Sequence, residues 1–164
     1  MLYKMDNSYY VLKEMDPKLR QYGEAIVKAF GMKERFFHIE FFRDGDDYIA
    51  IEYNNRPARG FTIDVYNYAH SIDLYRGYAA IVGGEPFPAS EFEPLYCLAT
   101  SRRANAAYVL SEEEVLAKYQ HQFRVKKIMP AAFAELQGDY LYMLTTPSRE
   151  ELEQMIHDFG QRAE

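Results

Sequence analysis

Two glutamates and an asparagine are spaced so that they could hold a hard cation. Glu40 lies in the run Phe36-Phe37-His38-Ile39-Glu40-Phe41-Phe42, and Glu52 and Asn54 lie in Tyr48-Ile49-Ala50-Ile51-Glu52-Tyr53-Asn54. Between them, Asp44 to Asp47 is an Asp- and Gly-rich stretch of the kind that closes a hairpin. Strand side chains alternate faces, so Phe36, His38, Glu40 and Phe42 are expected on one face, opposite Phe37, Ile39 and Phe41. By the same alternation Tyr48, Ala50, Glu52 and Asn54 share a face, opposite Ile49, Ile51 and Tyr53. An in-phase hairpin then places Glu40 beside Glu52 and Asn54. Facing carboxylates repel by roughly 0.2–1 kcal/mol, and a divalent cation offsets that repulsion, because carboxylate and amide oxygens are what magnesium takes. The competing reading is a hairpin with a solvated polar face. The strongly apolar residues around the acids argue against full exposure.

Neighbouring residues extend this chemistry. Arg56, two residues past Asn54, could clamp a phosphate or a developing oxyanion, or pair with Glu52 or Glu40. His38 shares the face of Glu40 and either meets a nucleotide or substrate or is a satisfied core histidine. Arg59-Gly60-Phe61-Thr62 leads into a helix expected over 63–70, with Thr62 as N-cap. Free backbone N–H groups and the helix dipole favour an anion there, which makes Gly60 and Thr62 candidate substrate contacts. His70, His121 and His157 show no metal-ligand spacing. Tyr66, Tyr68, Tyr75 and Tyr78 read as core or interface, and Arg102-Arg103 as a solvated turn. There is no phosphate-binding glycine loop and no Ser-His-Asp or Cys-His pattern.

The elements that must position these residues follow from local signals. A strand is expected over 8–14. Asp16-Pro17 caps a helix over 18–30 that ends at Gly31, and a further helix from residue 72 or 73 to Val82 ends at Gly83-Gly84. A Pro-rich connector, Glu85 to Pro94, marks a boundary between 1–88 and 94–164. The second part reads β-β-α-β-β-α. Its strands fall over 95–101, 105–110, 123–129 and 140–145, with a turn at 137–139. Ser111 opens a helix to about 119, and Pro147-Ser148 opens one to about 159. The fold class is α+β.

Composition bounds the function classes. The chain has 164 residues and a net charge of −6, with 15 Tyr, 11 Phe and no Trp. That charge disfavours a general nucleic-acid surface. The lone Cys97, in the apolar run Leu95-Tyr96-Cys97-Leu98, reads as a buried thiol, not part of a disulfide framework. No apolar run approaches a membrane span and no signal peptide opens the chain, so cytoplasm is the expected compartment.

The phrase from His38 to Thr62 (a strand His38-Ile39-Glu40-Phe41-Phe42, a turn, then Glu52-x-Asn54-x-Arg56-Pro57-x-x-Gly60-Phe61-Thr62) resembles the C-terminal lobe of the ATP-grasp superfamily. The longer stretch through Ala79 looks like its biotin-carboxylase-like or carboxylate–amine ligase branch. The resemblance is specific over about 9–85 and architectural beyond. It implies an antiparallel sheet with flanking helices, followed by a small α+β subdomain. It implies ATP and magnesium (manganese in its place) as cofactors, with Glu40, Glu52 and Asn54 as metal ligands and Arg56 assisting phosphoryl or acyl-phosphate chemistry. The implied reaction activates a small-molecule carboxylate as an acyl phosphate, which an amine or similar nucleophile captures. The chain departs from the pattern at Pro57-Ala58-Arg59-Gly60, where the family has two consecutive glycines, and Arg59 adds bulk beside a ligand-facing backbone. The family's ATP-gripping lysines and lid belong to an N-terminal lobe, so the chain is expected to be a fragment, inactive alone, with that lobe as its partner. A homodimer, and a non-catalytic or purely structural descendant, stay open.

Overall fold

In the computed structural model, residues 6–87 and 91–163 are described. The order of elements is β1 (Ser8–Val11), α1 (Pro17–Ala29), β2 (His38–Asp44), β3 (Asp47–Asn54), α2 (Thr62–His70), α3 (Leu74–Val82), β4 (Tyr96–Arg102), α4 (Glu112–Lys118), β5 (Phe123–Ile128), α5 (Ala131–Gln137), β6 (Tyr140–Thr146) and α6 (Arg149–Gly160). The chain divides into two units, and not at 1–88 and 94–164. Of the described residues, a sheet unit takes 6–13, 68–70 and 93–163, and a hairpin unit takes 14–67, 71–87 and 91–92. The expected connector does precede the return to the sheet unit at Glu93, although its residues 88–90 lie outside the described ones.

The sheet unit carries a four-stranded antiparallel sheet in the order β1-β4-β6-β5. Its central strands are buried on both faces, Cys97 to Arg102 on β4 and Leu141 to Thr146 on β6. Their near-continuous apolar and small residues suit that position. Leu98, Tyr142 and Leu144 pack with Val115 of α4, with Tyr119 at its C-cap, and with Leu152, Met155 and Phe159 of α6. The edge strand β5 alternates half-buried and exposed residues and sets Arg124 and Lys126 outward, which discourages edge-to-edge pairing. Cys97 is free and buried, and burial pushes its thiol up to about 12, so it holds no thiolate at neutral pH.

Three expectations fail in this unit. Residues 105–110 form no strand; Tyr108 makes one isolated bridge to Arg162, and its hydroxyl accepts from the Arg103 amide. Nor is Arg102 part of a solvated turn. It ends β4 at 3 % exposure, donates to the carbonyls of Phe159, Asp158 and Leu110 at 2.9, 3.0 and 2.9 Å, and stacks over Tyr108. Those α6 carbonyls have no intrahelical partner at a helix C-terminus, and a cation there also opposes the helix dipole. Residues 131–137, where no element was expected before the turn at 137–139, form α5. Its sequence AAFAELQ is rich in helix formers, but Pro130 gives no capping side chain, so the usual start signal is missing.

Caps elsewhere follow the local signals. Asp16 accepts from the Lys18 and Leu19 amides, Ser111 and Glu114 form a capping box, and Ser148 accepts from Glu151. Thr62 departs from this: it is the first helical residue of α2, not its cap, and its hydroxyl donates back to the Arg59 carbonyl at 3.0 Å.

Asp158 is buried in α6, where its carboxylate accepts from Lys118 (2.5 Å), Tyr119 (2.7 Å), Gln154 (2.8 Å) and His157 (3.2 Å). Burial alone would raise its pKa, but these four bonds outweigh that and hold the carboxyl well below the usual range. A depressed carboxyl pKa stabilises the fold above the unfolded value near ~3.9, and the contribution drains away as pH falls below it. Asp158→Asn is therefore expected to cost about 1–3 kcal/mol at pH 7. The difference from wild type should shrink as denaturation is repeated from about pH 4 downward.

Candidate functional site

The site is built on the β2–β3 hairpin. A two-residue loop, Gly45-Asp46, joins Asp44 to Asp47, with Gly45 at φ +57°, a region open to glycine at little cost. The ladder pairs Asp44 with Asp47, Arg43 with Tyr48, Phe42 with Ile49 and Phe41 with Ala50. The register then slips by one residue. Ile51 is passed over, and Glu40 pairs with Glu52, Ile39 with Tyr53 and His38 with Asn54. This is a β-bulge of two residues against one.

The bulge corrects the expected faces of β3. Tyr48 and Ala50 do not share the face of Glu52; they lie with Ile39, Phe41 and Arg43, and the Tyr48 ring meets Phe41 edge-on at 6.4 Å. Ile49 moves to the face of Glu40 and Phe42. Glu40, Glu52, Asn54 and His38 do share one face, as adjacent cross-strand pairs. Helix α1 fixes this ladder from one side. Lys18 donates to the Asp46 carbonyl and pairs with Asp47 at 3.2 Å, Tyr22 donates to Asp47 at 2.9 Å, and Phe30 stacks on Tyr53 at 4.6 Å.

The acids are less sheltered than their neighbours in sequence imply. The Glu40 side chain is 48 % exposed, and Phe42 and Ile49 are exposed beside it. His38 Nε2 lies 3.0 Å from Glu40 Oε1, so the histidine is neither a plain core residue nor free. Arg56 forms neither expected ion pair. It donates to Asn54 Oδ1 and to the Pro57 carbonyl, both at 3.0 Å. His38 Nδ1 and Asn54 Nδ2, on paired positions, are buried without hydrogen-bond partners. Such orphans are few in folded proteins and mark a place where something is unfinished. Gly60, at φ +67°, turns the loop into α2 in a conformation that Arg59 or Ala58 could not hold cheaply.

These residues suit a hard cation by the chemistry of their donors. Glu40 and Glu52 present carboxylates, and Asn54 Oδ1 keeps a second lone pair after accepting from Arg56. Among the described residues no group of three or more His, Cys, Asp and Glu could hold a metal. Two acids and an amide are nonetheless enough for magnesium, which binds through one or two carboxylates and keeps waters or phosphates as its other ligands. No helix of the described residues is long and apolar enough to cross a membrane.

Neither a protein-family model nor a curated protein matches the sequence. Among solved structures, the chain is similar to phosphoribosylglycinamide synthetase from Anaerococcus prevotii. The identity is 9% and the TM-score 0.64, over 93% of this chain and 43% of that one. The likeness supports an ATP-grasp-like fold, and the chain spans less than half of that enzyme's length. At such identity the likeness carries the fold and not the chemistry of individual residues.

Glu52→Gln removes one of two facing charges. In metal-free buffer it should leave the hairpin as stable as wild type or more so, by up to about 0.2–1 kcal/mol in chemical denaturation. A clear loss of stability would mean that Glu52 has a favourable partner and is not held against Glu40 by the register.

Proposed function

We propose that this chain carries the magnesium- and phosphate-facing part of an ATP-dependent ligase that activates a carboxylate as an acyl phosphate for capture by an amine or similar nucleophile. The observation that supports it best is the direct pairing of Glu40 with Glu52, beside Asn54 and Arg56, on an ATP-grasp-like fold. Glu40, Glu52 and Asn54 would hold magnesium. When bound, the ion supplies charge neutralisation for nucleotide phosphates.

The chain's own residues orient and balance charge. Asn54 positions the Arg56 guanidinium, and the Pro57 carbonyl holds its second arm. Two of the five Arg56 donors are thus engaged, which leaves donors for a transferring phosphoryl group or an oxyanion. Fixing that fork in advance lowers the ordering cost at the moment of reaction. His38 holds one oxygen of Glu40 and so limits the directions in which that carboxylate points. Gly60 and Thr62, in the loop into α2, are the proposed substrate contacts. A second lobe that grips the nucleotide belongs to the proposal, in keeping with the 43% of the similar enzyme that the chain spans.

The exposure of Glu40, Phe42 and Ile49 favours a second reading, a non-catalytic domain whose hairpin acids are solvated. Manganese binding followed by electron paramagnetic resonance, with and without ATP, separates the two. The ligase reading expects ATP to strengthen binding and expects Glu40→Gln or Glu52→Gln to weaken it at least tenfold with folding intact. Arg56→Gln should retain metal binding and lose most of the strengthening by ATP. If manganese is not bound even with ATP, or is bound equally by the Glu40→Gln/Glu52→Gln double variant, the second reading stands.

A further inference from the structure

The hairpin unit carries a half-open cavity of about 1000 Å³, at the upper end of the range for ligand pockets. Its walls include Leu19 and Val27 of α1, Phe36, Ile39 of β2, Ile63 of α2 and Leu74 of α3, all half-buried. Here α1 has no fully buried side chain, and the apolar residues are arranged around a space instead of closing on one another.

The rim has the opposite chemistry. Arg20, Lys28 and Arg35 line the cavity against a single acid, Glu24, and Arg20 is already paired with Glu24 at 2.8 Å. All four are exposed. The Lys28 ammonium and the Arg35 guanidinium have no partner among the described residues. Two unpaired positive charges thus border an apolar cavity on a chain whose net charge is −6. A neutral apolar ligand would leave those cations unused, an amine would be repelled by them, and a small hydrophilic anion would gain nothing from the walls.

From this complementarity we infer that the cavity binds a monocarboxylate on an apolar body, such as a medium-chain fatty acid or an arylalkanoic acid. The chain buries in the cavity, and the carboxylate meets the Arg35 fork and Lys28 at the rim. The cavity is also lined by His38, Pro57 and Thr62 of the hairpin site, but the inference does not rest on the ligase reading. It needs neither metal nor nucleotide, so either can fail without the other.

Calorimetric titration of the protein with butanoate, hexanoate and octanoate, each below its micellar concentration, tests it, with octan-1-ol and octylamine as matched controls. Octanoate should bind saturably at one site, with affinity rising about three- to fourfold per methylene along the series. Octan-1-ol should bind at least tenfold more weakly, and octylamine not measurably. The Lys28→Gln/Arg35→Gln double variant changes only exposed side chains and should lose at least tenfold in octanoate affinity while keeping its circular dichroism spectrum. Equal binding of octanoate and octan-1-ol, unchanged affinity in the double variant, absence of saturable binding, or displacement of octanoate by equimolar ATP would each overturn the inference.

Discussion

Whether the two glutamates meet at all depends on one unpaired residue. A two-residue turn pairs Asp44 with Asp47 and so matches even-numbered residues of β2 with odd-numbered ones of β3. Continued without a break, that ladder would set Glu40 opposite Ile51 and Glu52 opposite Ile39, with the acids on opposite faces. Ile51 is the extra residue that changes the parity. Beyond it Glu40 faces Glu52 and His38 faces Asn54, while near the turn Ala50 and Tyr48 remain on the other face. The bulge lets a tight turn and a two-acid face coexist in the same hairpin.

The other contacts of the hairpin unit hold that arrangement still. Lys18 and Tyr22 anchor the turn through Asp46 and Asp47, and Phe30 lies flat against Tyr53, the neighbour of Glu52. In the sheet unit a different polar device serves the core. Arg102 gives its donors to the open carbonyls at the end of α6, and Asp158, whose own carbonyl is one of those acceptors, gathers four donors on its carboxylate. Both buried charges are satisfied by several bonds each, as burial of a charge requires.

Fold and site carry different weight in the functional argument. The likeness to phosphoribosylglycinamide synthetase establishes an ATP-grasp-like architecture, and a shared architecture hosts many chemistries. The case for a ligase therefore rests on the Glu40–Glu52 pairing, the Asn54–Arg56 bond and the two orphaned polar atoms beside them. The half-open apolar cavity lined by Val27 and Ile39 adjoins that site and shares His38 and Thr62 with it.

By itself the sequence determined what is local. Asp16-Pro17, the Ser111–Glu114 box and Ser148 mark helix starts because a cap acts within three residues of its own side chain. The strands of β2 and β3 and the turn between them were legible for the same reason. What required the tertiary structure lies far apart along the chain: the pairing of β1 with β4, the reach of Arg102 to the end of α6, and the convergence of Lys28 and Arg35 on one cavity rim. No local signal singles out Lys28 or Arg35. The bulge at Ile51 belongs with these although it is close in sequence, because alternation is a strict period of two and cannot reveal where the ladder skips a residue. That skip depends on the backbone hydrogen bonds of both strands together, so only the folded hairpin decided which face Glu52 would occupy.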